Sequence, residues 1–131
     1  MKVLVIGRSG QLATALLESV PDECEVLSPD RSELDLADHH KCYDYVLRTK
    51  PDWVINAGAY TAVDQAEKDE TGALQLNFES PVQIATALMV TGGKILQVST
   101  DYVFSGNTLE PYKPKDAPNP INAYGRSKAR T

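Results

Sequence analysis

The start of the chain holds the feature that most restricts its fold. Val3, Leu4, Val5 and Ile6 form an unbroken apolar run, Gly7 and Gly10 follow, and Gln11, Leu12 and Ala13 open a segment with helical patterning. An apolar run without alternation is expected of a strand covered on both faces. A glycine at its end allows a sharp turn, a second allows close backbone approach, and a small third residue allows tight helix–strand packing. Gly7, Gly10 and Ala13 occupy those three places. The helix start that follows presents backbone N–H groups to an anion. A strand, turn and helix suited to a pyrophosphate are therefore predicted, and with them a dinucleotide-binding α/β domain.

The rest of the chain repeats the alternation. Further apolar runs lie at residues 26–27, 53–55 and 95–98. Between them, Leu12, Ala15, Leu16 and Val20 share one helical face, as do Cys42, Val46 and Leu47, and then Ile84, Ala85, Leu88 and Met89. Buried strands alternating with helices imply βαβ units, a parallel sheet and right-handed crossovers that place helices on both faces. Asp38 is placed to cap a helix ending near Lys50, ahead of Pro51. Pro81, after Ser80, suits the first turn of a helix that stops at Gly92-Gly93. Residues 105–122 carry Gly106, Pro111, Pro114, Pro118 and Pro120 and read as an exposed loop.

Composition narrows the partners. The 131 residues make one domain's worth of sequence, and a net charge of −5 excludes broad attraction to nucleic acid or an anionic membrane. Cys24 and Cys42, the two cysteines, show no CxxC or metal-ligand spacing, so two free thiols in a reducing cytoplasm are expected. The opening apolar run is too short for a signal segment, and no stretch approaches a membrane span.

Two constellations carry chemistry. Asp30 follows the second strand, twenty residues beyond Gly10. A carboxylate there accepts hydrogen bonds from an adenosine ribose, which favours NAD, whereas Arg31 beside it would pair with a 2′-phosphate, which favours NADP. Asp35 and Leu36 fall in a segment placed beside the adenine, and Ala57, Gly58 and Ala59 close the third strand with small residues. Farther on, Thr100 and Asp101 end the fourth strand, where chemistry collects in open α/β sheets. Tyr124 and Lys128 stand four apart on one helical face, and an ammonium beside a phenol favours phenolate, making a tyrosine a workable general acid near neutrality. A hydroxyl from Thr100 would bond the reacting carbonyl oxygen.

The segments Gly7-Arg8-Ser9-Gly10-Gln11-Leu12, Glu33-Leu34-Asp35, Asn56-Ala57-Gly58-Ala59-Tyr60-Thr61-Ala62-Val63-Asp64-Gln65-Ala66-Glu67, Ser99-Thr100-Asp101-Tyr102-Val103-Phe104 and Tyr124-Gly125-Arg126-Ser127-Lys128 together carry a resemblance. The chain resembles the dTDP-4-dehydrorhamnose reductases of the extended short-chain dehydrogenase/reductase superfamily over essentially its whole length. The resemblance implies a Rossmann-like doubly wound sheet and hydride transfer from NADH or NADPH to the C4 keto group of a dTDP-sugar, giving dTDP-L-rhamnose. It implies that Tyr124 gives the proton, that Lys128 binds the nicotinamide ribose and that Thr100 orients the carbonyl. Gly7, Gly10, Gln11, Leu12, Asp30, Arg31, Asp35, Leu36, Ala57, Gly58, Ala59, Tyr124 and Lys128 would line the cofactor, with Thr100 and Asp101 against the sugar.

Residues 1–131 are thus expected to be a single NAD(P)-binding domain, without the C-terminal substrate region that relatives carry. Apolar sheet surface left uncovered would favour a homodimer. Relatives usually have a glycine where this chain has Thr131. Some place an acidic residue early in the first helix to help hold Mg²⁺; Ala15 and its neighbours stand there, so no metal site is expected. A helix of about eight residues is marginal without packing, so Tyr124 and Lys128 are expected to be loosely held. A non-catalytic nucleotide-binding or regulatory module is the alternative; Tyr60-Thr61-Ala62-Val63-Asp64 argues against an epimerase or dehydratase.

Overall fold

The computed structural model describes residues 1–130; Thr131 lies outside the described residues. Strands β1 (Lys2–Ile6), β2 (Glu25–Leu27), β3 (Trp53–Asn56) and β4 (Lys94–Gln97) form one parallel sheet in the order β2-β1-β3-β4. Leu4 of β1 faces Leu27 on one side and Val54 on the other. Helix α1 (Gln11–Glu18) joins β1 to β2, and α2 (His39–Thr49) carries the chain back across β1 to β3. The strand order therefore reverses at β1, and the carboxyl ends of β1 and β3 flank the crevice where open α/β sheets bind ligands.

Alternation along β1 divides the core. Val3 and Val5 pack with Ala13, Leu16 and Leu17 of α1. Leu4, Ile6 and Val54 pack with Cys42 and Val46 of α2 and with Ile84 and Leu88 of α5 (Ser80–Thr91). Two covered faces account for the unbroken apolar run. Both cysteines are free, and burial pushes the Cys42 thiol up to about 11. The caps fall where expected. Asp38 accepts from the Lys41 N–H at 3.1 Å, Lys50 closes α2 in the left-handed region at φ 46°, and Gly92 closes α5 at φ 84°.

Two features differ from the expected pattern. The inward face of α1 is set by Ala13 together with Leu16 and Leu17, while Leu12 and Ala15 are exposed. The small Ala13 lets the helix sit directly on the sheet, which turns Leu12 outward at the helix start. Met89 is likewise exposed, with Ala87 taking its place inside. The second difference is larger. Pro81 lies in the first turn of α5, as expected, but that helix has no free start: α4 (Glu70–Leu74) runs through a π-helical turn (Gln75–Glu79) directly into it. A proline inside a helix lacks the N–H that would bond four residues back and crowds that carbonyl, here Asn77's. Widening to a π turn accommodates the ring without ending the rod. Ahead of it, α3 (Val63–Ala66) is a single turn.

Candidate functional site

The turn between β1 and α1 is shaped by a close approach. Gly7 has φ +94°, and a Cβ on it would lie 2.7 Å from the Gly58 nitrogen and 2.9 Å from the Ala57 carbonyl carbon. Only glycine lets the ends of β1 and β3 come this near. The Gly10 N–H donates to the Gly7 carbonyl at 2.8 Å, closing the turn. Gly10 then serves as the N-cap of α1 with no side chain to occupy the first-turn N–H groups. Those groups and the helix dipole make the spot favourable to an anion.

Beside this turn opens a cavity of about 380 Å³. Ile6, Leu34, Leu36 and Leu76 give it an apolar interior, and Arg8, Asp30, Arg31 and Asp35 add charge. Seven of the sequence candidates, Gly7, Asp30, Arg31, Asp35, Leu36, Gly58 and Ala59, line it. Gly10, Gln11 and Leu12 stand outside that lining, at the start of α1, and Ala57 packs with the cluster beneath α1. Asp30 turns one carboxylate oxygen toward its own loop, accepting from the Ser32 N–H at 2.8 Å, the Ser32 hydroxyl at 2.6 Å and the Glu33 N–H at 3.2 Å. The Ser32 hydroxyl, followed by the two N–H groups, holds its carboxyl below the usual carboxylate range. Asp35 is lowered too, first by the Ala37 N–H and also by Arg31, whose Nε lies 3.2 Å away. Buried Asn56 pins the neighbouring strand end, donating to Gln97 Oε1 at 2.8 Å and accepting from the Gly58 N–H at 3.2 Å.

The second half of the site is α6 (Ala123–Ala129), which the chain anchors at many points. Asn122 caps it, accepting from the Gly125 N–H at 2.7 Å, and Glu67 accepts from the Ala123 N–H at 2.5 Å. Arg126 grips Glu70 with Nε at 2.8 Å and Nη2 at 3.2 Å. Gly125 packs directly on the Tyr102 carbonyl, where a side chain would collide. Asn77, from the π turn, accepts from the Tyr60 N–H at 2.8 Å and donates to the Ser127 hydroxyl at 2.9 Å; Ser127 in turn donates to the Tyr124 carbonyl at 2.7 Å. The expectation of a loosely held helix is corrected: seven residues suffice because distant segments supply the packing that the helix lacks by itself. Asn122→Ala is expected to cost about 1 kcal/mol, the usual worth of an N-cap. It should lower Tm by about 3–4 °C in thermal denaturation, and an unchanged Tm would mean that the cap contributes nothing.

Lys128 is buried, and its ammonium donates to the Val98 carbonyl at 2.6 Å, just past β4. Burial pushes its pKa below the ordinary lysine value. Tyr124, one turn earlier, is buried edge-on against Tyr102 with ring centroids 5.5 Å apart. Thr100 lies two residues beyond Val98; its hydroxyl donates to Asp101 at 3.2 Å and accepts from the Tyr102 N–H at 3.3 Å. A second cavity, of about 340 Å³, adjoins this end, with Asp101, Tyr102, Phe104, Tyr112 and Asn122 in its wall. Lys128 and Thr100 are thus brought to one strand end, with Tyr124 on the helix that Lys128 anchors. Asn77 and Glu70 escaped sequence reading, and Arg8, Glu67 and Ser127 entered it only inside the segments that carry the resemblance, with no role of their own.

Among the described residues, no group of three or more His, Cys, Asp or Glu is placed to hold a metal ion, and no helix is long and apolar enough to cross a membrane. The sequence profile of the RmlD substrate binding domain family matches residues 1–131. The dTDP-4-dehydrorhamnose reductase of Burkholderia thailandensis is 42% identical over 128 residues, which are 98% of this chain and 43% of that protein. The crystal structure of a dTDP-4-dehydrorhamnose reductase from Clostridium acetobutylicum is similar with a TM-score of 0.95 and 36% identity, covering 99% of this chain and 47% of that one. The reductase of Bacillus anthracis in complex with NADP is similar with a TM-score of 0.93 and 36% identity, over 98% and 46%. The chain spans less than half the length of these relatives. The sheet order and these likenesses establish the Rossmann-like fold.

Proposed function

From the premise that this chain belongs to the RmlD substrate binding domain family, we propose that residues 1–131 form a single NAD(P)-binding domain of a dTDP-4-dehydrorhamnose reductase. Its residues fit a dinucleotide. The Gly7 cradle would be filled by any Cβ, the α1 start has no side-chain cap, and the adjoining cavity combines an apolar interior with polar side chains. Gly10, Gln11 and Leu12 would hold the pyrophosphate. Asp30, Arg31, Asp35 and Leu36 would hold the adenosine end, with Ala57, Gly58 and Ala59 along the strand end beneath. When bound, NADH or NADPH supplies the hydride.

The remaining steps belong to the chain. Tyr124 donates its phenolic proton to the C4 oxygen of dTDP-4-dehydro-6-deoxy-L-mannose as hydride reaches C4, so the ketone becomes the hydroxyl of dTDP-L-rhamnose. Thr100 orients that oxygen, Lys128 holds the nicotinamide ribose, and Asp101 contacts the sugar. One observation carries this reading above all: the buried Lys128 ammonium sits 2.6 Å from the Val98 carbonyl, tying the tyrosine-bearing helix to the strand end that carries Thr100. With Thr100, Tyr124 and Lys128 all present, nothing favours the non-catalytic alternative. Two free cysteines and a reductive cofactor suit the cytoplasm, and half-exposed Leu96 on β4 leaves apolar sheet surface for a homodimer.

The test is cofactor binding by the chain itself. NADPH at one hundred times its Kd is expected to stabilise the fold by about 2.7 kcal/mol, seen as a raised Tm and a shifted NADPH fluorescence. No change in either signal at millimolar NADPH would overturn the proposal.

A further inference from the structure

We propose that Glu67 is a positioning residue for the proton donor: its carboxylate fixes the backbone beside Tyr124 and thereby sets where the phenol stands over the crevice. The inference rests on the reductase reading above. Glu67 Oε1 accepts from the Ala123 N–H at 2.5 Å, across 56 residues of chain. Ala123 is the first residue of α6, and an N–H at that position has no partner within its own helix. Asn122 accepts from the Gly125 N–H at 2.7 Å. Tyr124 is therefore bracketed by two capping bonds, one on the residue before it and one on the residue after it.

A carboxylate can position a helix only if it is itself held. Glu67 closes α3, and the turn around it is folded by three backbone bonds. The Ala66 N–H donates to the Ala62 carbonyl at 2.9 Å, and the Lys68 and Asp69 N–H groups donate to the Gln65 carbonyl at 2.9 and 3.0 Å. Farther back, Asn77 binds both the N–H and the carbonyl of Tyr60, at 2.8 and 3.0 Å, one residue beyond Ala59. A short fixed segment thus joins the end of β3 to Glu67. Ala66 and Ala123 are fully buried in one cluster with Tyr124, against Tyr60 and Val63. That packing draws the two segments together, but apolar contact has no direction. The Glu67 bond supplies the direction, one residue from the group that does the chemistry, where a shift of about 1 Å costs up to about 10²-fold in rate.

The experiment is steady-state reduction of the keto-sugar by the full reductase that carries this chain, at a temperature where thermal denaturation shows each variant folded. Glu67→Ala should lower kcat roughly tenfold or more, with KM for NADPH and for the keto-sugar within about twofold of the parent, because the transition state alone depends on the phenol's position. Glu67→Gln keeps an oxygen acceptor at the same reach and should retain kcat within about threefold. Glu67→Asp keeps the charge but draws the oxygen back by one methylene, and should fall with the alanine variant. A role in stability alone would lower Tm and leave kcat of the folded variants unchanged, and that result overturns the proposal. So does a loss in Glu67→Gln equal to that in Glu67→Ala, or a rise in KM in place of a fall in kcat. If Glu67→Ala does not fold, the Gln and Asp variants decide by the same criteria. A parent enzyme that reduces no keto-sugar would overturn the reductase reading, and this assignment with it.

Discussion

Gly7→Ala is expected to destabilise the chain by about 4 kcal/mol, in the exceptional range for a single substitution. Two costs add. A φ of +94° is strained for any residue with a Cβ, at about 1–3 kcal/mol. The new methyl would also press on the Ala57–Gly58 backbone, with contacts of 2.7 and 2.9 Å. Those atoms are main chain directly after β3, so relief requires prying β3 from β1 at the cavity. Gly92 supplies the control. It shares a positive φ of +84°, but nothing lies within 4 Å of the point a methyl would occupy, so Gly92→Ala carries the conformational cost alone, about 1 kcal/mol. Urea denaturation at unchanged m measures both. Equal effects at the two glycines would show that the close approach contributes nothing.

Tyr124→Phe carries the largest expected effect on chemistry. In a protein joining this chain to the further portion that its relatives carry, reduction of the keto-sugar should slow by roughly 10²- to 10⁴-fold, the usual contribution of a placed general acid. The ring remains to pack on Tyr102, so stability should change by less than about 1 kcal/mol. Steady-state kcat and thermal denaturation read the two halves of this expectation. A rate reduced less than about fivefold would remove Tyr124 as proton donor.

What the sequence reveals depends on how local each signal is. The turn at Gly7 and Gly10 is legible because strand, glycines and helix are consecutive, and the strand alternation because burial on both faces demands unbroken apolar runs. The caps at Asp38, Lys50 and Gly92 are equally local. The rod at 70–91 is not legible as one helix, since Ser80 and Pro81 read as the start of a separate one. Its continuity comes from burial of Ala73, Ile84 and Leu88, which no local rule reports. The face of α1 is misjudged from sequence because Leu12 and Ala15 fit the period as well as Ala13 does. The hold on α6 is invisible for a plainer reason: Glu67, Glu70 and Asn77 lie 50 residues or more away along the chain. Arg8 reads as an ordinary exposed residue until the cavity beside it is seen.

The π turn before Pro81 bears on how the two halves of the molecule stay aligned. One extra residue in a helical turn rotates everything beyond it by about 100° relative to everything before. Upstream of the turn the rod offers Glu70 and Ala73 to α6; downstream it offers Ile84 and Leu88 to the sheet and α2. A regular helix of the same sequence could meet only one of these neighbours squarely. The turn works as a fixed phase shifter, letting a single rigid shaft mesh with two partners set at different angles. Alignment between the Gly7 turn and the tyrosine-bearing helix is thereby geared through one shaft and does not depend on a flexible joint.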